Sequence, residues 1–183
     1  MSRSDRIQDA SGQTRMCFDR YGNLRRKIQV TAGRTLTTQY RFDLANRLIG
    51  ITYPSGLVAS YTRDAQGRVS GLSLSRGTWA LPLVTQVSYL PFGPMAAITF
   101  GHGQTLTKQW DGNYEPEAIT SPVLDYDYTL DEVGNLTRIQ SSIEGEQRYG
   151  YDNLDRLQTV QEANATLIES FGYDATGNRT SQT

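Results

Sequence analysis

The sequence repeats one short phrase, which at its clearest reads Tyr149-Gly150-Tyr151-Asp152-Asn153-Leu154-Asp155-Arg156-Leu157. Related copies are centred on Asp131 and Asp174, so the aspartates lie 21 and then 22 residues apart. A fixed period of about twenty residues is typical of a repeat architecture, in which each unit is completed by packing on its neighbours. The repeat therefore decides the fold of this chain.

Each copy of the phrase is predicted to form a β-hairpin. Aromatic residues two positions apart, such as Tyr149 and Tyr151, project to the same face of a strand. Asp followed three residues later by Gly is typical of a type I turn, in which the carboxylate accepts a backbone N–H two residues on. Gly tolerates the positive φ of a three-residue loop closed by a G1 bulge. An aliphatic residue such as Leu157 then begins the return strand.

The same template extends over residues 14–183 and predicts about eight hairpin units. Tyr89-Leu90-Pro91-Phe92-Gly93-Pro94 is interpreted as a variant in which Phe92 replaces the aspartate. Residues 1–13 are expected to be a flexible polar lead-in or the tail of a preceding repeat. The residues predicted to define the repeat structurally are Phe18, Asp19, Gly22, Tyr40, Phe42, Asp43, Tyr61, Asp64, Gly67, Trp110, Asp111, Tyr128, Asp131, Gly134, Tyr149, Tyr151, Asp152, Phe171, Tyr173, Asp174 and Gly177.

A different turn is predicted to join the units. Pro54-Ser55-Gly56 is predicted to be a second kind of turn, which connects one unit to the next.

A second aliphatic residue, such as Ile51, follows the first one, Leu48, at an offset of three residues. That offset is odd, so a regular strand would place the two side chains on opposite faces. A bulge between them would bring both to the same face.

Composition narrows the classes of partner. A net charge of −1 gives no reason to expect nucleic acid or an anionic membrane as a partner. The basic cluster Arg25-Arg26-Lys27 is interpreted as a solvated strand edge. No apolar run reaches the roughly 18 residues that a membrane span needs, and the polar residues 1–13 are unlike a secretory signal peptide.

No pattern of residues predicts catalysis, a cofactor or a metal. His102 is the only histidine, and Cys17 is the only cysteine, so neither has a second ligand of its kind. The repeated aspartates recur at one turn position, which explains them without a catalytic pair. Asp125 resembles the start of a calcium loop, but Leu130 stands where that motif needs Gly. The chain is therefore predicted not to be an enzyme.

The repeated phrase resembles the YD repeats of the Rhs (rearrangement hot spot) family, which includes toxin-complex C components and teneurins. The resemblance extends over most of the chain, from Met16 to Thr180. In that family the repeats build a β-sheet that spirals into a hollow shell, which in bacteria typically encloses a toxin. The resemblance implies an all-β repeat protein of stacked β-hairpins in a curved, mostly antiparallel sheet, a segment of such a shell.

Two functions follow as hypotheses. The first is a structural wall segment that helps to enclose a toxin or other cargo polypeptide, with neighbouring repeats and cargo as partners. The alternative is a module that binds carbohydrate or a cell-surface protein through exposed aromatics. Exposure of Trp79 and Trp110 would favour binding, and their burial between strands would oppose it. The full-length protein is expected to be secreted or at the cell surface, and cytoplasmic before export.

Overall fold

The computed structural model describes residues 3–183, and in that part of the chain it contains β-strands and no α-helix. The all-β class predicted from the repeat is therefore confirmed. The strands are β1 (Ser4–Asp9), β2 (Gly12–Phe18), β3 (Leu24–Thr31), β4 (Arg34–Phe42), β5 (Leu48–Thr52), β6 (Val58–Arg63), β7 (Val69–Arg76), β8 (Trp79–Tyr89), β9 (Met95–Phe100), β10 (Thr105–Trp110), β11 (Pro116–Ser121), β12 (Leu124–Leu130), β13 (Leu136–Ser141), β14 (Gly145–Tyr151), β15 (Leu157–Glu162), β16 (Leu167–Tyr173) and β17 (Arg179–Gln182).

The chain divides into two compact units. The first comprises residues 3–87 together with Thr99–Gly103, and the second comprises Ser88–Ile98 together with Gln104–Thr183. In the first unit, each strand from β1 to β7 pairs antiparallel with the next strand along the chain. In the second unit the same holds from β10 to β16. Each unit is thus a succession of hairpins, as the sequence period predicts.

The N-terminal segment differs from the expected flexible lead-in. Ser4–Asp9 forms β1 and pairs with β2 from Ser4 opposite Cys17 to Asp9 opposite Gly12. Of the two predicted alternatives, the flexible lead-in does not describe these six residues, whereas the tail of a preceding repeat agrees with a strand at this place. The unpaired backbone groups along one side of β2 favour the addition of a strand, whatever its polarity.

A bulge follows each aspartate turn, as the offset between the aliphatic residues predicted. Phe42 lies opposite Leu48, but Arg41 lies opposite Gly50, so Ile49 is the extra residue. The same shift occurs in the hairpins of Asp19, Asp64, Asp111, Asp131, Asp152 and Asp174. Because residues opposite each other share a face of the sheet, the bulge brings Leu48 and Ile51 to one side. This prediction is confirmed.

One face of four hairpins carries an aromatic–aliphatic pair. Tyr40 lies opposite Ile51, and the equivalent pairs in other hairpins are Tyr61 with Leu72, Tyr128 with Ile139 and Tyr149 with Val160. Residues directly before the aspartate add a second row, in which Phe18 lies opposite Leu24 and Tyr151 opposite Leu157. Cross-strand pairs of this kind each contribute roughly 0.2–1 kcal/mol to a sheet.

Neither unit has a solid core of large side chains. In the described part of the chain the buried side chains are those of Ala59, Ala118 and Ser141, and no large side chain is fully buried. The hairpins must therefore be held by their backbone ladders and by contacts from one hairpin to the next. No helix in residues 3–183 is long and apolar enough to cross a membrane.

Candidate functional site

The aspartate turns are the features that the sequence singles out, and they share one backbone geometry. We number the aspartate as position 1 of its turn, so that position 4 is usually Gly and position 0 precedes the aspartate. In the turn of Asp152, the backbone N–H of Asp152 donates to the Arg156 carbonyl at 3.0 Å, and that of Asp155 donates back to the Asp152 carbonyl at 3.0 Å. Position 4 has a positive φ, which is 89° at Gly134 and 57° at Asp155. The predicted three-residue loop with a G1 bulge is confirmed.

The aspartate carboxylate stabilises the loop by accepting two of its backbone N–H groups. Oδ1 of Asp152 accepts the backbone N–H of Leu154 at 2.9 Å and that of Arg156 at 3.0 Å. The first of these bonds is the one predicted from the sequence, and the second closes the loop. The same pair of bonds occurs at Asp19, Asp43, Asp111, Asp131 and Asp174.

The side chain at position 5 also belongs to the turn, which the sequence analysis missed. Oδ2 of Asp152 accepts Nε of Arg156 at 2.6 Å, and Oδ2 of Asp131 accepts Nδ2 of Asn135 at 3.1 Å. Arg47, Arg68, Asn23 and Asn178 do the same in their turns. The signal was present in the sequence, because position 5 is Asn or Arg in six of the seven aspartate turns.

These bonds favour the ionised carboxylates. The side chains of Asn178 and Thr176 lower the pKa of Asp174 from 3.8 to about 2. The Arg156 side chain lowers the pKa of Asp152, and the backbone N–H of Arg47 is the main cause of the lowered pKa of Asp43. At Asp19, Asp64 and Asp131 desolvation is the largest single effect and opposes ionisation, but the hydrogen bonds together outweigh it and the pKa is lowered.

Two turns depart from the pattern, and in one of them the predicted position of Phe92 is wrong. Leu90, not Phe92, occupies position 1, because the Leu90 N–H donates to the Pro94 carbonyl at 3.0 Å. Phe92 was aligned with the aspartate because of its place before Gly93. It lies at the tip instead, with φ 55° and a fully exposed ring. The other departure is the turn of Asp111, where the carboxylate Glu115 occupies position 5 and offers no donor.

The turn at Pro54 is not a second kind of turn. The N–H of Tyr53 donates to the Leu57 carbonyl at 2.8 Å, and that of Gly56 donates to the Tyr53 carbonyl at 2.9 Å. This is the loop geometry of the aspartate turns, with φ 80° at Gly56. The prediction of a distinct turn is wrong, because the three-residue loop is set by the residue with positive φ and not by the aspartate.

In four repeats the side chain at position 0 joins its hairpin to the one before it. The hydroxyl of Tyr151 donates to the Leu136 carbonyl at 2.9 Å, and that of Tyr173 donates to the Leu157 carbonyl at 2.8 Å. Both carbonyls belong to the first residue of the return strand in the preceding hairpin. Arg63 and Trp110 reach the equivalent carbonyls of Leu48 and Met95, at 2.6 and 3.0 Å. Four repeats therefore make the same kind of inter-repeat hydrogen bond with three types of side chain, namely tyrosine, arginine and tryptophan.

Position 5 makes a second connection, to the following turn. Nδ2 of Asn135 donates to Oδ1 of Asp155 at 2.9 Å, and Nδ2 of Asn23 donates to Oδ1 of Asn46 at 2.9 Å. Arg156 donates to the Asp174 carbonyl at 3.2 Å, and its guanidinium carbon lies 4.6 Å from the centre of the Tyr173 ring. Each of these side chains thus binds its own aspartate and the next repeat at the same time.

Removing one inter-repeat bond provides a test. Tyr151→Phe deletes the donor to the half-buried Leu136 carbonyl and keeps the ring, so we expect a loss of about 1 kcal/mol in the free energy of unfolding. Tyr149→Phe is the control, because its hydroxyl donates only to Gln147, two residues away on the surface. Denaturant titration of both variants measures the difference. Equal losses would contradict the importance of the inter-repeat bond.

The positive φ at position 4 predicts that a β-branched residue there will destabilise the protein. Gly134 has φ 89°, a conformation that β-branched residues adopt with strain, so Gly134→Val is expected to cost more than about 1 kcal/mol. Val133→Ala is the control, because the Val133 side chain is exposed at the tip of the same turn. Its effect should stay within about 0.5 kcal/mol. If the two variants are equally stable in denaturant titration, the turn geometry is wrong.

The other residues considered from the sequence have local structural contacts. The ring of His102 stacks on that of Phe100, with 5.8 Å between the centroids, next to the turn that Gly103 closes. The carboxylate of Asp125 accepts the backbone N–H and the hydroxyl of Ser142. Trp79 is 49% exposed, whereas Trp110 is half-buried and donates to Met95. The two tryptophans lie in different units.

A protein-family model for the RHS repeat matches residues 42–78 and 131–167, which contain the turns of Asp43, Asp64, Asp131 and Asp152. These two segments of the chain are RHS repeats. A search of curated protein sequences returns no significant match.

The RHS-repeat fold also matches solved structures. A crystal structure of TcdB2-TccC3 superposes with a TM-score of 0.84 at 18% identity, and one of TcdB2-TccC3-Cdc42 with 0.83 at 17%. These matches cover 95% and 96% of this chain. A structure of TcdB2-TccC3 without its hypervariable C-terminal region gives a TM-score of 0.83. The RHS-repeat chain spans only 11–12% of the length of these relatives, so it corresponds to a small part of each.

Proposed function

We propose that this RHS-repeat chain is a wall segment of an Rhs-type shell that encloses a polypeptide cargo such as a toxin. The observation that carries the proposal is the pair of side-chain connections between successive repeats. Position 0 bonds to the preceding hairpin, and position 5 bonds to the following turn. Together with the backbone ladder, these bonds stabilise a wall one sheet thick without a solid core.

The distribution of burial supports the same role. A globular binding domain of this length normally buries large apolar side chains in a core. Here, within residues 3–183, only small side chains are buried, and the aromatic rows lie on a half-buried sheet face. A sheet of this kind leaves extended surface for neighbouring repeats on its edges and for a cargo chain on one face. We therefore propose neighbouring repeats and an enclosed polypeptide as partners.

The proposed role has consequences for localisation and chemistry. A shell that delivers a toxin acts outside the cell that makes it, so we propose that the full-length protein is secreted or displayed at the cell surface. The role is structural and assigns no residue to catalysis, to a cofactor or to a metal.

The carbohydrate-binding alternative gains no support, because the indole N–H of Trp110 already donates to the Met95 carbonyl within the repeat framework.

A chimera tests the proposal directly. The segment of TcdB2-TccC3 that superposes on this chain is replaced by this chain, and the complete protein is purified. If the chain is a wall segment, electron microscopy will show a closed particle. The hypervariable C-terminal region will then resist trypsin about as long as in unmodified TcdB2-TccC3.

The control chimera carries Tyr151→Phe and Tyr173→Phe in the inserted chain, which removes two inter-repeat hydrogen bonds. Protection of the C-terminal region should be shorter in this control. A chimera that forms no particle, or a particle from which the C-terminal region is digested at the rate of the free region, would show that the chain does not act as a shell wall.

A further inference from the structure

A row of arginines crosses three strands of the first unit on a single face. Cys17 lies opposite Arg26, Arg26 opposite Gln39, and Gln39 opposite Thr52, so these residues share one face of the sheet. Arg15 is two residues before Cys17, and Arg41 is two residues after Gln39, so both point to that face as well. Arg15, Arg26 and Arg41 therefore occupy diagonal positions on β2, β3 and β4, where long side chains interact.

The extra residue of the bulge in this hairpin adds a further cation. Arg25 is the bulged residue between Leu24 and Arg26, and it lines the same shallow depression as Arg26 and Arg41. The depression has a volume of about 580 Å³. Its other lining residues are Cys17, Phe18, Asp19, Gln39, Tyr40 and Thr52.

Gly50 makes room for one of these arginines. A Cβ at Gly50 would lie 2.9 Å from Nη2 of Arg41, so the guanidinium of Arg41 rests directly over the glycine backbone. Gly50 is buried, and its φ is not one that requires glycine. A side chain at this position would displace the guanidinium of Arg41, and its Cβ would lie 3.3 Å from the backbone carbonyl oxygen of Ala59.

These arginines differ from those of the aspartate turns. Arg47, Arg68 and Arg156 each pair with the carboxylate of their own turn, at 2.6–2.8 Å. Within residues 3–183, Arg25, Arg26 and Arg41 form no ion pair within 4.0 Å. The nearest acidic group of the depression is Asp19, and its carboxylate is occupied by the backbone of Tyr21 and Asn23. Asp19 still attracts Arg25 electrostatically, but Arg26 and Arg41 have no carboxylate partner within residues 3–183, so the depression carries a net positive charge.

We propose that this depression, which we call the arginine face, binds an acidic polypeptide segment through its carboxylates. Guanidinium groups bind carboxylates in bidentate pairs, and neighbouring like charges on a sheet are unfavourable until an anion joins them. The side chains of Gln39 and Thr52 add polar groups beside the cations. The chain as a whole has a net charge of −1, so its long-range field does not favour a nucleic acid or an anionic membrane. The proposal does not depend on the shell role.

Fluorescence anisotropy of the full chain with a labelled peptide rich in Asp and Glu tests the arginine face. The peptide in which Gln and Asn replace the acids is the neutral probe, and an oligonucleotide of thymidine is the alternative anion. We expect the acidic peptide to bind at low salt at least about tenfold more tightly than either of the other probes, and to weaken as salt is added.

The variant Arg26→Gln/Arg41→Gln should weaken binding of the acidic peptide by about tenfold or more. Arg34→Gln/Arg76→Gln is the matched control, because it removes the same charge from two other exposed arginines of this unit and should change the Kd by less than about twofold. The conservative variant Arg26→Lys/Arg41→Lys keeps the charge, loses the bidentate geometry and should be intermediate. Circular dichroism confirms that each variant is folded.

Three results would overturn the proposal. The first is equal affinity for the acidic and neutral peptides, and the second is an equal loss in the variant and its matched control. The third is tighter binding of the oligonucleotide than of the acidic peptide, which would assign the arginine face to nucleic acid.

Discussion

Acidification is expected to destabilise the chain steeply as the pH falls from 3.8 towards about 2, the ordinary and the folded-state pKa values of Asp174. The reason is that six of the seven turn aspartates have a lowered pKa in the folded chain. A depressed folded pKa means that the folded state binds protons less readily than the unfolded state. The stability contributed by each carboxylate is therefore fully present above the unfolded pKa and is lost as the pH falls through the folded pKa.

The effect is expected to be large because six aspartate turns are affected over the same pH range. Protonation removes the negative charge from the acceptor of the position 5 side chain and of two backbone N–H groups. In the turns of Asp43, Asp64 and Asp152 it also leaves an arginine without its counter-ion. These turns hold successive hairpins, so their loss should lower the stability of the whole array.

The thermal midpoint, followed by circular dichroism across this pH range, measures the effect. Asp174→Asn is the control, because Asn is also favoured at the first position of a turn but does not titrate. Its midpoint should depend less on pH than that of the unmodified chain. A midpoint that stays constant between pH 3.8 and about 2 would show that the ionised carboxylates contribute nothing to stability.

Gly101→Ala is expected to cost more than about 2 kcal/mol in the free energy of unfolding. A Cβ at Gly101 would lie 1.7 Å from the backbone carbonyl oxygen of Pro82, which is far inside any allowed contact. The N–H of Gly101 also donates to the Leu83 carbonyl at 2.9 Å. The obstacle is backbone and not a flexible side chain, so the two segments must separate and lose that hydrogen bond.

Gly112→Ala is the matched control for this substitution. A Cβ at Gly112 would meet no atom within 4 Å, and its φ is not in the left-handed region, so the change should stay within about 0.5 kcal/mol. Denaturant titration of both variants gives the comparison. Equal stability of the two variants would show that residues 99–103 do not approach Pro82 as closely as the structure places them.

The hairpins could be predicted from the sequence because they depend on residues close together in the chain. Asp152 and Arg156 are only four residues apart, and the alternation of Tyr149 and Tyr151 is read directly from the order of residues. An irregularity after the turn was also predictable, because a regular strand cannot place Leu48 and Ile51 on one face, and the structure shows that it is a bulge. These features follow from the steric preferences of short segments and from the two-residue period of a strand.

The contacts between repeats could not be predicted in the same way. Tyr151 and Leu136 are 15 residues apart, and nothing in either residue type specifies that the hydroxyl meets that carbonyl. Trp110 was considered as a surface for ligands, but it makes the same inter-repeat bond as the tyrosines. Phe92 was predicted to replace the aspartate, but the backbone hydrogen bond between Leu90 and Pro94, which the sequence does not specify, places Leu90 at that position.

The sequence alone determined that this protein is a β-hairpin repeat of the Rhs type, because its period, turn residues and aromatic pairs act locally and recur. Tertiary structure alone decided which side chains join one repeat to the next, and that Arg26 and Arg41 form no ion pair within residues 3–183. Arg26 and Arg41 come together only through the pairing of β3 with β4. The physical reason is that strand pairing brings together residues that are distant in the chain, and their register cannot be read from either strand by itself.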